Sequence, residues 1–267
     1  MKKKIYLLFT LFFINSVLFS LEPLSYSLNS TITSYSPNFF KLNVKQQIDF
    51  DCQVDTFCPI GQSPEKMTLT FRRIQGDIHY NDKEYHLDTE NNEPYSLEFQ
   101  CVKKLLNTPI HITLSSGSTI SEKVQDFEHI LSLSTLENYF ISDDLLKQIV
   151  ELIFLPLSAK NSEQKTALSL YYPFKTRTFS SFELKEEKES SSMLINEPLA
   201  IEGLYSTHQE PFSVHLNGQL EAKAKWTNKS PYCESLTLSH ALNEKKGETL
   251  FENPLSFEYS VSLNMKK

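Results

Sequence analysis

Apolar and polar side chains take alternate positions through most of this 267-residue chain. A two-residue period of that kind specifies strands with one buried and one wet face. Leu42, Val44, Ile48 and Phe50 fall on one side of such a strand, with Lys45, Gln47, Asp49 and Asp51 on the other and Gln46 as the single misfit. Met67, Leu69 and Phe71 alternate with Thr68, Thr70 and Arg72, and Tyr95, Leu97, Phe99 and Cys101 with Ser96, Glu98 and Gln100. The pattern returns in Leu220, Ala222, Ala224 and Trp226, and again in Phe257, Tyr259, Val261 and Leu263. Half-buried strands belong to antiparallel sheets, whereas a doubly wound parallel sheet needs continuous apolar strands separated by helices. The chain's 19 Phe and 12 Tyr favour strands as well, and its 6 Gly leave little for phosphate-cradling loops.

The period changes only in the middle of the chain. Val124, Phe127, His129, Ile130, Leu131 and Leu133 suggest a short helix or turn. A stronger signal begins at Ser142, an N-cap residue followed by Asp143 and Asp144 at the positive end of a helix dipole. Leu145, Leu146, Ile149, Val150, Leu152, Ile153 and Phe154 wrap most of that helix until Pro156 stops it. So wide an apolar surface needs cover, in the concavity of a curved sheet or between two sheets. The predicted fold is therefore α+β, mostly antiparallel sheet (a curved half-barrel or sandwich-like), with two β-rich halves around a short central helical segment. The halves are residues 21–160 and 161–267, packed as one unit, with the polar stretch 158–165 as their boundary. A strand-and-Gly-turn likeness between residues 109–117 and 211–218 hints at duplication. The Lys- and Glu-rich run 185–192 reads as a solvated hairpin loop.

Residues 1–20 predict export. Lys2, Lys3 and Lys4 precede an apolar run over residues 5–19, the layout of a secretory signal peptide cut after Ser20. The run is shorter than the ~20 residues of a spanning helix, and no second apolar stretch follows it, so no transmembrane segment is expected after signal removal. The formal net charge of −7 becomes more negative once those three Lys leave. Nucleic acid and anionic membrane surfaces, which are held by Lys and Arg, are disfavoured as partners. An even cysteine count in an exported chain predicts disulfides. Cys52 and Cys58 enclose a short loop and are the first choice for a local bridge, which leaves Cys101 to tie the first half to Cys233 in the second.

One cluster invites a site. Residues 76–88 read as a hairpin turning at Asn81-Asp82 or Asp82-Lys83. In either case Ile78, Tyr80, Tyr85 and Leu87 share one face, and Asp77, His79, Glu84, His86 and Asp88 share the other, because the shift is even. His79, His86, Asp77 and Asp88 are thus candidate ligands for zinc or another borderline cation. The wet side of any sheet has the same composition, and that is the reading adopted. No cofactor is implied. No Gly-x-Ser-x-Gly, His-Glu-x-x-His or Walker-type run is present, and a non-catalytic protein is expected. Some hydrolases carry their groups on loops without local signatures, and that remains the third reading.

The hairpin end at Tyr85-His-Leu-Asp-Thr89, the strand and turn over residues 109–117, and the helix closing at Leu155-Pro-Leu157 resemble a loose family of exported bacterial proteins of unknown function. The resemblance covers roughly residues 24–160. It implies β-rich halves flanking a short helical segment, and supplies no catalytic residue. The Lys-, Phe-, Ser- and Leu-rich usage suggests an AT-rich Gram-negative genome, hence the periplasm or outer envelope. The expected function is binding of a hydrophobic or peptide ligand in the concave sheet face, using surplus apolar surface on the helix and aromatics such as Tyr171, Tyr172, Phe174, Phe179 and Phe182. The alternative is a structural module that recruits another envelope protein at a sheet edge.

Overall fold

The computed structural model describes residues 23–36, 40–55, 66–90, 99–113, 140–156, 183–205, 212–228, 230, 232–244 and 255–266. The alternating segments form strands β1 (Leu24–Ser36), β2 (Phe40–Val54), β3 (Lys66–Tyr80), β4 (Lys83–Asp88) and β5 (Pro109–Thr113). After the helical segment come β6 (Glu183–Glu186), β7 (Ser190–Tyr205), β8 (Phe212–Thr227), β9 (Ser235–Glu244) and β10 (Ser256–Met265). All belong to one ten-stranded sheet in the order β4-β3-β2-β1-β10-β9-β8-β7-β6, with β5 beside β3. Every pairing of these strands is antiparallel, and the order does not close on itself. The half-barrel alternative therefore holds over the sandwich, which would need a second sheet.

The order explains how two halves become one unit. Strands β1 to β4 run outward from the middle and β6 to β10 run inward to it. The seam is β1 against β10, in register from Tyr26↔Met265 to Tyr35↔Ser256. One face of this sheet is apolar: Tyr26, Leu28, Ile48, Ile78, Leu220 and Trp226 are wholly inaccessible. Each such side chain contributes about 1.5–3 kcal/mol through burial. Gln46, the misfit of the β2 pattern, is not an irregularity. It points inward with its neighbours, and its Nε2 donates to the Oγ of buried Ser30 directly across the ladder, at 2.8 Å.

A register shift at Asp49/Phe50 lets Arg72 and Arg73 both face water, so the inward set passes from Met67, Leu69 and Phe71 to Ile74 and Ile78 without losing the core. Two glycines sit where strands meet closely. A Cβ on Gly76 would overlap the Lys45 carbonyl and the Phe140 ring, and one on Gly218 would overlap the Ala241 carbonyl. Gly218 is thus interior to β8 and paired on both sides, not in a turn. Of the two segments whose likeness hinted at duplication, β5 lies beside β3 and β8 inside the sheet, and the Gly117 end of the first lies outside the described residues.

The expected strand over residues 95–101 is corrected at its described end. Residues Gln100–Leu105 form helix α1, and Phe99, Val102 and Leu105 are buried at three-residue spacing. So few residues satisfy both periods, and packing decides. Asn107, with φ 57°, ends the turn in the left-handed region and donates its N–H to the Phe71 carbonyl. Helix α2 (Asp143–Ile153) begins where expected, the Ser142 Oγ accepting from the Leu145 N–H at 3.1 Å. Just before it, Phe140 lies over Gly76 of β3. At its end Ile153 accepts from the Cys233 N–H next to β9, and Phe154 meets Tyr232. Eleven helical residues span about 17 Å, and the four steps from β3 to β9 span about 19 Å. Helix α2 therefore crosses the apolar face over the seam. Its Gln148 and Glu151 are buried along with its apolar residues.

Residues 187–189 turn between β6 and β7, so the run forms a hairpin as expected, but its loop is shorter than 185–192: both flanks pair as strand and Ser191 is buried. Among the described residues no helix is long and apolar enough to cross a membrane. The suggested helix near residues 124–133, the boundary 158–165 and the aromatics between Tyr171 and Phe182 lie outside the described residues.

Candidate functional site

The charged hairpin turns at Asn81-Asp82, with Asn81 at φ 53° and Tyr80 paired to Lys83. The faces are as expected: Ile78 and Leu87 are buried, and Asp77, His79, Glu84, His86 and Asp88 point outward. Register splits this outer face into separate pairs. Asp77 lies opposite His86, with Oδ1 to Nδ1 at 2.7 Å, and His79 opposite Glu84 at 3.1 Å. Asp88 is taken by Arg73 at 3.0 Å, and that guanidinium also holds Glu90 at 3.1 Å. The hydrogen bonds from Arg73 hold the Asp88 carboxyl below its ordinary value. Among the described residues, no group of three or more His, Cys, Asp or Glu converges as metal ligands would.

The cysteine expectation is corrected in part. Cys52 and Cys233 are buried free thiols. Cys52 is an inward residue of β2, opposite Leu24 and Leu69. The Cys233 thiol donates to the Ser235 carbonyl at 3.2 Å. Burial pushes both thiols up to about 12. Cys101 lies on α1, which is joined to β3 through Phe71, whereas Cys233 precedes β9. With Cys233 a free thiol, the expected bridge from Cys101 is not formed. Cys58 lies outside the described residues.

Two buried nitrogens on the apolar face were not singled out from the sequence. Trp226 on β8 is wholly inaccessible, and its Nε1–H has no hydrogen-bond partner. His240 on β9 is 4% exposed, its Nδ1 lacks a partner, and its ring lies 5.6 Å from that of Phe257 and 5.2 Å from that of Tyr259. Burial alone pushes this imidazole down to about 4. The alternation Leu236, Leu238, His240, Leu242 carried the signal for its inward position.

The described cavities lie on the opposite, wet face. A groove of about 490 Å³ crosses β1, β10, β9, β8 and β7 between two cross-strand rows, Asn29–Ser262–Thr237–Lys223–Leu194 and Thr31–Ser260–Ser239–Glu221. A second, of about 320 Å³, lies between the latter row and Thr33–Glu258–Ala241–Gln219.

These features define a class: a single open antiparallel sheet, crossed on its apolar face by a buried helix and grooved on its polar face. No protein-family model matches the sequence, and no curated protein does. Among solved structures, the chain is similar to one described as lipid–protein interactions in lipovitellin, with a TM-score of 0.52 and 11% identity. The match covers 92% of this chain and 25% of the lipovitellin chain, so this chain spans about a quarter of that protein's length. At that identity the likeness is one of fold alone. A second structure, the S-type phycobiliprotein lyase CPES from Guillardia theta, aligns over 90% of this chain and 87% of its own at 7% identity. Its TM-score of 0.21 carries no argument.

Proposed function

We propose that this is an exported, non-catalytic protein of a Gram-negative envelope that binds a hydrophobic ligand against the apolar face of its sheet. The extent of that face is the observation that supports the reading. Buried apolar side chains run without a break from β3 through the seam to β8, with α2 laid across them and the short α1 packed at the β3 end. Two unpaired nitrogens, Trp226 Nε1 and His240 Nδ1, stand in that surface. A ligand with a polar end would relieve either of them, each costing about 1–3 kcal/mol unpaired. The fold likeness is to a protein whose structure is described by its lipid–protein interactions, which agrees with a hydrophobic ligand.

Trp226, the chain's single tryptophan, is a built-in reporter. Brominated fatty acids should quench its fluorescence saturably, and an organic extract of the purified protein should contain lipid by mass spectrometry. An unquenched Trp226 together with a lipid-free extract refutes the reading. A second reading, recruitment of another protein at a sheet edge, is favoured by one feature: among the described residues β6 pairs with only residues 191–194 of the 16-residue β7.

A further inference from the structure

We infer that the polar face of the sheet carries a second binding site, in the paired grooves over β1, β10, β9 and β8, and that its ligand is a neutral linear oligosaccharide. The sheet's wet face has two chemistries. Over β2, β3 and β4 it is occupied by the ion pairs Arg72–Asp51 and Arg73–Asp88 and by the hydrogen-bonded pair His86 and Asp77. Over the seam it changes to short uncharged groups: Thr31, Ser260 and Ser239 form the ridge that both grooves share. The grooves arise because these side chains are short while Gln219, Glu221 and Lys223 of β8 stand taller along one side. The larger groove spans five strands, about 19 Å, and its volume of about 490 Å³ lies in the range of small-molecule sites.

The lining selects the ligand class. A hydroxyl both donates and accepts, so rows of Ser and Thr match a chain of sugar hydroxyls without needing charge. A peptide is a poorer match. The backbone groups of these interior strands are already committed to their ladders, and the grooves offer no deep apolar pockets for side chains. Glu221 and Glu258 outnumber Lys223 along the grooves, which disfavours an anionic chain. The described large apolar side chains left exposed are Tyr35 at 43% and Leu194 at 45%, and both stand on this face. Leu194 lines the larger groove, and Tyr35 lies two residues beyond Thr33 on β1, where its ring can stack on a sugar face.

The test is calorimetric titration of the full chain with chitohexaose, cellohexaose and maltohexaose, beside a neutral hexapeptide of Ser and Ala. At least one hexasaccharide should bind saturably, more tightly than its disaccharide. Ser239→Lys and Thr31→Lys, which fill the shared ridge with solvent-facing chains, should weaken it about tenfold or more without lowering the melting temperature. Tyr35→Ala should weaken it several-fold. Absence of saturable binding by all three sugars, binding unchanged by both lysine variants, or preference for the peptide overturns the inference. Trp226 quenching by brominated lipid reports on the opposite face, so the two sites fail or succeed separately.

Discussion

His240 should make the protein acid-sensitive, and replacing it should remove that sensitivity. Burial, with no charged neighbour contributing, pushes the imidazole from 6.5 down to about 4. Between those values the unfolded chain takes up a proton that the folded chain refuses. Stability rises with pH wherever the unfolded state binds more protons. The penalty therefore begins as pH falls through 6.5 and is complete below 4. At about 1.36 kcal/mol per pKa unit it reaches about 3 kcal/mol, of which about 2.5 kcal/mol is present at pH 4.5. His240→Phe keeps the ring contacts with Phe257 and Tyr259 and discards the unpaired Nδ1. At pH 7.5 the variant should match or exceed the parent by about 1 kcal/mol. At pH 4.5 its advantage should grow by about 2.5 kcal/mol. Urea unfolding of both proteins at the two pH values measures the double difference, in which every other titrating group cancels. Parallel losses in the two proteins would refute a neutral, buried His240.

Cys52 and Cys233 should resist maleimide in the native protein and react in urea, as peptide mapping would show; native labelling, or a disulfide peptide holding either residue, contradicts their burial. Gly218→Ala should destabilise by about 3 kcal/mol or prevent folding, because the methyl meets the Ala241 backbone rather than a movable side chain. Thermal unfolding measures it, and an unchanged midpoint would mean that β8 and β9 are not so close. Arg73→Ala should cost about 1 kcal/mol, the upper end for surface ion pairs, because its pair with Asp88 is only partly exposed. It should also let the Asp88 titration seen by NMR move up toward 3.8.

Much of the fold was legible because its information is local. A strand declares its buried face within a few residues, so the inward sets of β2, β3, β8 and β10 could be read directly, as could the Ser142 cap and the hairpin faces around Asn81. Where a segment is short, both periods fit, and the strand expected up to Cys101 yielded to α1 once Val102 and Leu105 met the core. Gln46 looked irregular only because its partner, Ser30, is 16 residues away.

By itself the sequence determined the kind of structure: one apolar and one wet face on antiparallel strands, with a capped helix in the middle. Only the tertiary structure decided which strands are neighbours. The β1–β10 seam joins residues from opposite ends of the chain, and no short window records that pairing. The same holds for what depends on it. The candidate cation ligands became separate pairs, Cys52 and Cys233 were buried as free thiols, and outward Ser and Thr from three strands lined up into grooves. Alternation is set by backbone geometry within a strand, whereas distance between strands is set by the whole sheet.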